Sequence, residues 1–278
     1  MPLSVVVHGV LERDAAFAPG IGRALYAWVL DRIRQVDAGA AQSLQDGEGR
    51  KPLTVSTLQG QVHSAAPGLV RAAAGTAFWV RCTALEAGTE QVVLRALEGA
   101  RGGVLEAGGI RLGGLALHTS AAGHPWAAAA SYQELFDGSL ADPPPETLSL
   151  RFCSPTTFRT REGNLPFPLP ALVFRTLVQK WNLFAPIDLG GFLAALETAV
   201  RVQAYHCQTH RLHLGRHGEV GFTGTACFDL RGLGDPLLAK VAGCLGAYAF
   251  YGGIGAKTTM GFGQARVTQD PLPARVPV

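Results

Sequence analysis

A chain of 278 residues with 47% hydrophobic and only 16% charged residues can bury one large core or two smaller ones, and two compact halves are the expectation. Its formal charge of +3, from 24 basic and 21 acidic residues, excludes the strongly basic balance of a nonspecific nucleic-acid coat, so any nucleic-acid site must be local. The 35 glycines and 17 prolines are spread along the chain and read as turns between short elements rather than as disorder.

The first half opens on a β-like run over 3–11, followed by a helix on which Leu25, Val29, Ile33 and Val36 recur at helical spacing. Residues 52–58 alternate as a strand, 77–84 give another, 90–97 suit a second helix and 110–118 a closing strand. That order, β-α-β-β-α-β, is the ferredoxin-like one. Small residues over 120–130, a short helical segment and the run Asp142-Pro143-Pro144-Pro145 mark a joint at 120–145. Beyond it 147–152 is a strand and 171–184 a helix, and 206–214 with 218–230 form a hairpin about Gly215-Arg216-His217-Gly218. A helix over 237–251 and a strand over 261–267 close the chain. The pattern predicts an α+β fold of two tandem ferredoxin-like (RRM-like) domains, over 1–125 and 140–278.

Cys82, Cys153, Cys207, Cys227 and Cys244 are odd in number, widely spaced and set in apolar stretches, so they read as buried thiols in a reducing compartment. The N-terminus has no basic lead region and no apolar run reaches the ~18 residues of a membrane span, so the expectation is a cytoplasmic protein with no membrane partner.

The segment Gly252-Gly253-Ile254-Gly255-Ala256-Lys257-Thr258-Thr259-Met260-Gly261-Phe262-Gly263 lies between a helix and a strand. Missing side chains would let backbone N–H groups meet a phosphate chain, with Lys257, Thr258 and Thr259 adding charge and hydrogen bonds; equally, such a run can be a turn that packs helix on sheet. It is neither a P-loop, because Ala256 precedes Lys257, nor a dinucleotide fingerprint, because the order of helix and strand is reversed.

The spacing Gly253-Ile254-Gly255, five residues, then Gly261-Phe262-Gly263 resembles the C-terminal glycine-rich signature of the CRISPR repeat-cleaving endoribonucleases, within the repeat-associated RNA-binding superfamily. Three more segments resemble the same family: Lys51-Pro52-Leu53-Thr54-Val55-Ser56, Ser154-Pro155-Thr156-Thr157-Phe158 with Pro168-Leu169-Pro170, Phe174 and Lys180-Trp181-Asn182, and Gly221-Phe222-Thr223-Gly224. The resemblance implies metal-independent, cofactor-free chemistry in which a ribose 2′-OH attacks the adjacent phosphate, leaving a 2′,3′-cyclic phosphate and a 5′-OH. The partner it implies is precursor CRISPR RNA at its repeat; effector-complex subunits and a second copy of the chain are further candidates.

Many relatives of this kind carry a histidine in a Leu-His-acidic triplet before the Lys-Pro strand; here the triplet is Leu44-Gln45-Asp46. An amide can orient a hydroxyl but cannot exchange a proton near neutral pH. Tyr26 and Lys51 match the family's other two positions, Arg50 is a candidate for transition-state charge, and His63 a further candidate for proton transfer. A solvated loop arginine and loop histidine, and a partly buried helix tyrosine, are the bland alternatives. The RNA-binding set is Gly253, Gly255, Lys257, Thr258, Thr259, Gly261 and Gly263, with His206 and His210 on the second half's sheet. Because His206 and His210 would face opposite to Cys207 and His213 on a strand, no metal site is expected. The alternative function is a noncatalytic CRISPR RNA-binding subunit of an effector complex.

Overall fold

The computed structural model describes residues 1–47, 49–214 and 217–269. The chain groups into two units: Met1–Ala130 with Leu212–Glu219 and Lys257–Gly261, and Ser131–Arg211 with Val220–Ala256 and the residues from Phe262.

In the first unit, alternation along β1 (Leu3–Leu11) sends Val5 and Val7 into the core and Ser4, Val6 and His8 to the other face. After β2 (Ala15–Phe17), helix α1 (Gly22–Val36) buries Leu25, Val29 and Ile33 in the same core. Helix α2 (Ala38–Asp46) is started by Asp37, whose carboxylate accepts the Ala40 N–H at 2.8 Å. Then come β3 (Leu53–Val55), β4 (Gln59–Gly60), β5 (His63–Ala66), β6 (Leu69–Ala72), β7 (Ala77–Ala84), α3 (Ala87–Glu98), β8 (Leu105–Ala107), β9 (Ile110–His118) and β10 (Ala128–Ala129). The main sheet runs β3-β7-β1-β9-β8, with β2-β6-β5 forming a separate small sheet. Strands β3, β7, β1 and β9 are the second, third, first and fourth of a β-α-β-β-α-β unit, the ferredoxin-like arrangement.

The second unit opens on α4 (Tyr132–Ala141), whose start is fixed by a capping box between Ser131 and Glu134. It continues through β11 (Thr147–Thr156), β12 (Phe158–Thr160), β13 (Gly163–Leu165), α5 (Pro170–Phe184), α6 (Leu193–Ala199), β14 (Arg201–Leu214), β15 (His217–Asp229), α7 (Pro236–Gly252) and β16 (Ala265–Val267). Its sheet order, β14-β15-β11-β16, repeats the first. Phe152, Phe174, Trp181, Phe228, Leu245 and Tyr248 are fully buried between sheet and helices. Phe152 and Phe158 pack on Phe222, at 4.8 and 6.4 Å between ring centroids, so they are core rings.

Four expectations change. The strand over 52–58 shortens to β3 because the Ser56 hydroxyl takes the Arg81 N–H at 2.8 Å, and Ser56 then bridges in parallel to Gly261. The strand over 261–267 shortens to β16 because Gly261 and Gly263 hold φ of 92° and 73°, outside the β region. Cys82 and Cys244 are buried, their thiols pushed up to about 12 mainly by desolvation, but Cys153, Cys207 and Cys227 are partly exposed. Cys153 and Cys227 alternate with the buried Phe152, Ala226 and Phe228 and so occupy the sheet's other face. The hairpin was expected over 206–214 and 218–230 and its strands extend further, to Arg201 and Asp229; the turn residues 215–216 lie outside the described residues. No helix among the described residues is long and apolar enough to cross a membrane.

Candidate active site

The last turn of α2 gathers three of the residues singled out in the first half, Tyr26, Gln45 and Lys51. Tyr26, one turn into α1, donates its hydroxyl to the Leu44 carbonyl at 3.1 Å. Lys51 donates its ammonium to the Gln45 carbonyl at 3.2 Å and also to the Gly47 carbonyl. These are the carbonyls that the end of a helix leaves without intrahelical partners, and the helix dipole favours a cation there. The Gln45 side chain is exposed, and its Oε1 accepts from Arg34 Nη2 at 3.2 Å. Burial, with the Cys82 sulfur a smaller cause, raises the Tyr26 phenol above its ordinary value, so it stays a hydroxyl at neutral pH. Arg50 lies partly exposed immediately before Lys51.

His63 stands elsewhere, exposed on β5 in the small sheet, opposite Arg71. With Arg71, Asp14 and Ala72 it lines an open cleft of about 400 Å³. Sequence reasoning missed two parts of the corner: α2 itself, signalled by Asp37 before an alanine-rich run, and Arg34, a basic residue in the last turn of α1.

The glycine-rich segment is held by its own backbone. In the second unit the Gly253 N–H donates to Ala249 O (3.0 Å), Ile254 to Gly263 O (2.8 Å), Ala256 to Thr157 O (2.9 Å) and Gly263 to Pro155 O (3.0 Å), while Gly255 N lies 3.4 Å from Thr176 Oγ1. The N–H groups of Gly253, Gly255 and Gly263, expected to face phosphate, are therefore committed within the chain.

In the first unit, residues Thr258–Met260 form a single 3₁₀ turn that packs on α1 and β3. A Cβ on Gly22 would come 2.2 Å from Met260 O, and one on Gly261, at φ 92°, 2.3 Å from Thr57 Cγ2. Lys257 is the one non-glycine residue with positive φ among the described residues, at 60°, and its ammonium pairs with Glu219. Thr258 and Thr259 are partly exposed beside it. On β14, His206 is exposed, and His210 is partly buried with Nε2 at 2.7 Å from Thr223 Oγ1. Among the described residues, no group of three or more His, Cys, Asp or Glu is placed to hold a metal ion.

A family model described as CRISPR-associated endoribonuclease Cas6 matches residues 150–265. The CRISPR-associated endoribonuclease Cas6 of Mycobacterium tuberculosis is 33% identical over 135 residues, which is 47% of this chain and 42% of that relative, so the match spans less than half the relative's length. Among solved structures, a product complex of Thermus thermophilus Cas6 matches with a TM-score of 0.79 at 28% identity, over 96% of this chain and 100% of that one. A second Cas6, in a substrate mimic complex, matches with a TM-score of 0.73 at 27% identity over 96% of this chain and 100% of that one. The twice-built ferredoxin-like order, the glycine signature and these likenesses agree: the chain is similar to the CRISPR-associated endoribonucleases Cas6, by sequence over part of its length and by fold over 96% of it.

Proposed function

We propose that the chain is a metal-independent endoribonuclease that cuts precursor CRISPR RNA at its repeat. A ribose 2′-oxygen bonds to the adjacent phosphorus, the bond to the 5′-oxygen breaks, and the products carry a 2′,3′-cyclic phosphate and a 5′-OH. The 2′-OH gives up one proton and the leaving oxygen takes one. The observation that supports this reading is the gathering of Tyr26, Gln45 and Lys51 at one helix end, with Arg34 on the Gln45 amide.

Lys51 then supplies charge to the phosphorane, Arg34 and Arg50 add to it, Tyr26 sets the position of the α2 terminus, and Gln45 orients a hydroxyl. His63 is the nearest residue in sequence able to exchange a proton near neutral pH, and remains the alternative proton carrier. Phosphate contacts fall to the side chains of Lys257, Thr258 and Thr259 and to the exposed face of β14 at His206 and His210, while Gly253, Gly255, Gly261 and Gly263 shape the support. The left-handed backbone at Lys257 supports a functional placement, because strain of this kind is kept where the surroundings require it.

Gln45 favours a second reading, a noncatalytic RNA-binding subunit, since its amide cannot pass a proton. Incubating the protein with labelled repeat RNA in chelator separates the two. One cut per repeat ending in a cyclic phosphate supports the enzyme; tight binding with no cut supports the subunit.

A further inference from the structure

The face of the first unit's sheet opposite its hydrophobic core carries, at its partly exposed end, a cluster of rings that the proposed cleavage does not use. His8 on β1 is paired directly with Trp79 on β7, and His118 lies two residues along β9 from Ala116, the other partner of His8. His124 and Trp126 come from the segment after β9. Ring centroids are 6.5 Å apart for His8 and His118, 6.1 Å for His118 and His124, 4.7 Å for Trp79 and His124, and 6.4 Å for Trp79 and Trp126. All five rings are partly exposed.

The cluster is held in place from below. Ser4 Oγ donates to the Trp126 carbonyl at 2.5 Å and accepts from Arg81 Nε at 2.7 Å. The Arg81 guanidinium, 1% exposed, lies 4.9 Å from the centre of the Trp126 ring. The Trp126 N–H donates to His124 Nδ1 at 3.2 Å, which makes that nitrogen an acceptor and leaves the ring's proton on Nε2. Residues 4–8, 79–83 and 116–118, which build this part of the sheet, contain no carboxylate.

Aliphatic side chains would cover a sheet face without polar edges or a buried cation. Flat π faces and imidazole edges with no acid among them are instead features that recognise unpaired nucleotides, whose bases stack on such rings with little sequence preference. We propose that this face binds an unpaired segment of the RNA outside the cleaved hairpin, with bases stacked on Trp79, His118 and His124. The proposal rests on the RNA-processing reading above.

The test compares the affinity of the full chain for a repeat hairpin alone and for the same hairpin extended by unpaired uridylates. The extension is expected to raise affinity about tenfold, the scale of one stacked base, and to quench tryptophan fluorescence. In Trp79→Leu and in His118→Ala the gain from the extension should fall towards none, while Trp79→Phe should keep most of it. Because the readout is a ratio within each variant, a partial loss of folded protein does not imitate the effect. An extension that adds nothing to hairpin binding, or a gain that survives in both Trp79→Leu and His118→Ala, overturns the inference and leaves the RNA-processing reading standing. Failure of the parental chain to bind either RNA overturns both.

Discussion

The α2 corner and the glycine-rich segment divide the work of the chain in opposite ways. The segment at 252–263 is the most conspicuous motif in the sequence, yet its backbone N–H groups are mostly committed internally and two of its contacts leave no room for a Cβ. The corner has no motif beyond Lys51-Pro52, yet it brings a phenol, an amide, an ammonium and a guanidinium together on one helix end. A glycine pattern marks where backbones must approach; the proposed chemistry is instead assigned to polar and charged side chains gathered at a helix end.

The sharpest test of that division is Lys51→Ala. Single-turnover cleavage should slow by about 100- to 10,000-fold, the usual worth of an acid-base or charge-stabilising group, with binding much less affected. In the same assay His63→Ala should cut at the parental rate and Gln45→His should preserve or raise it. A dead His63→Ala beside an unimpaired Lys51→Ala would move the proton transfer to His63.

Gly261→Ala tests the other side. A side chain at φ 92° and 2.3 Å from Thr57 should cost about 2–5 kcal/mol in strain and overpacking, read as a large drop in Tm. A variant with parental Tm would show that the segment is not built on close approach. Lys257→Ala should act more weakly, lowering repeat-RNA affinity and reducing the salt slope by about one, because the cation is shared with Glu219.

The smallest effect concerns His124, held below its ordinary pKa by burial, with His118 and His8 adding to it. The folded chain resists its protonation while the unfolded chain accepts a proton near pH 6.5, so this contribution to stability is full above about pH 6.5 and is lost as pH falls below it. Between pH 7.5 and 5.5, Tm should fall less in His124→Gln than in the parental chain.

Much of the fold was legible because its strands and helices carry strong periodicity: 77–84 and 110–118 coincide with β7 and β9. The small sheet β2-β6-β5 was not, since His63–Ala66 is exposed throughout and shows no alternation. Helix α2 escaped because its alanines give only a weak apolar stripe, with Ala41 and Leu44 alone buried. In the candidate site, Tyr26 and Lys51 could be named by resemblance. Arg34 could not, because its role depends on α2 folding back to place Gln45 beside it. The ring cluster was equally hidden: His8, Trp79 and His118 are far apart in sequence and meet only through strand register.

The first unit is discontinuous along the chain, since Lys257–Gly261 belongs to it together with Met1–Ala130. Gly22, Ser56 and Thr57 meet their partners at Met260 and Gly261 only after residue 261 has been synthesised. At a translation rate of about 5–20 residues per second, the early strands wait on the order of ten seconds or more for that last piece. A nascent chain on the ribosome therefore carries an unfinished first unit, and whatever depends on that support begins only after residue 261 has been made.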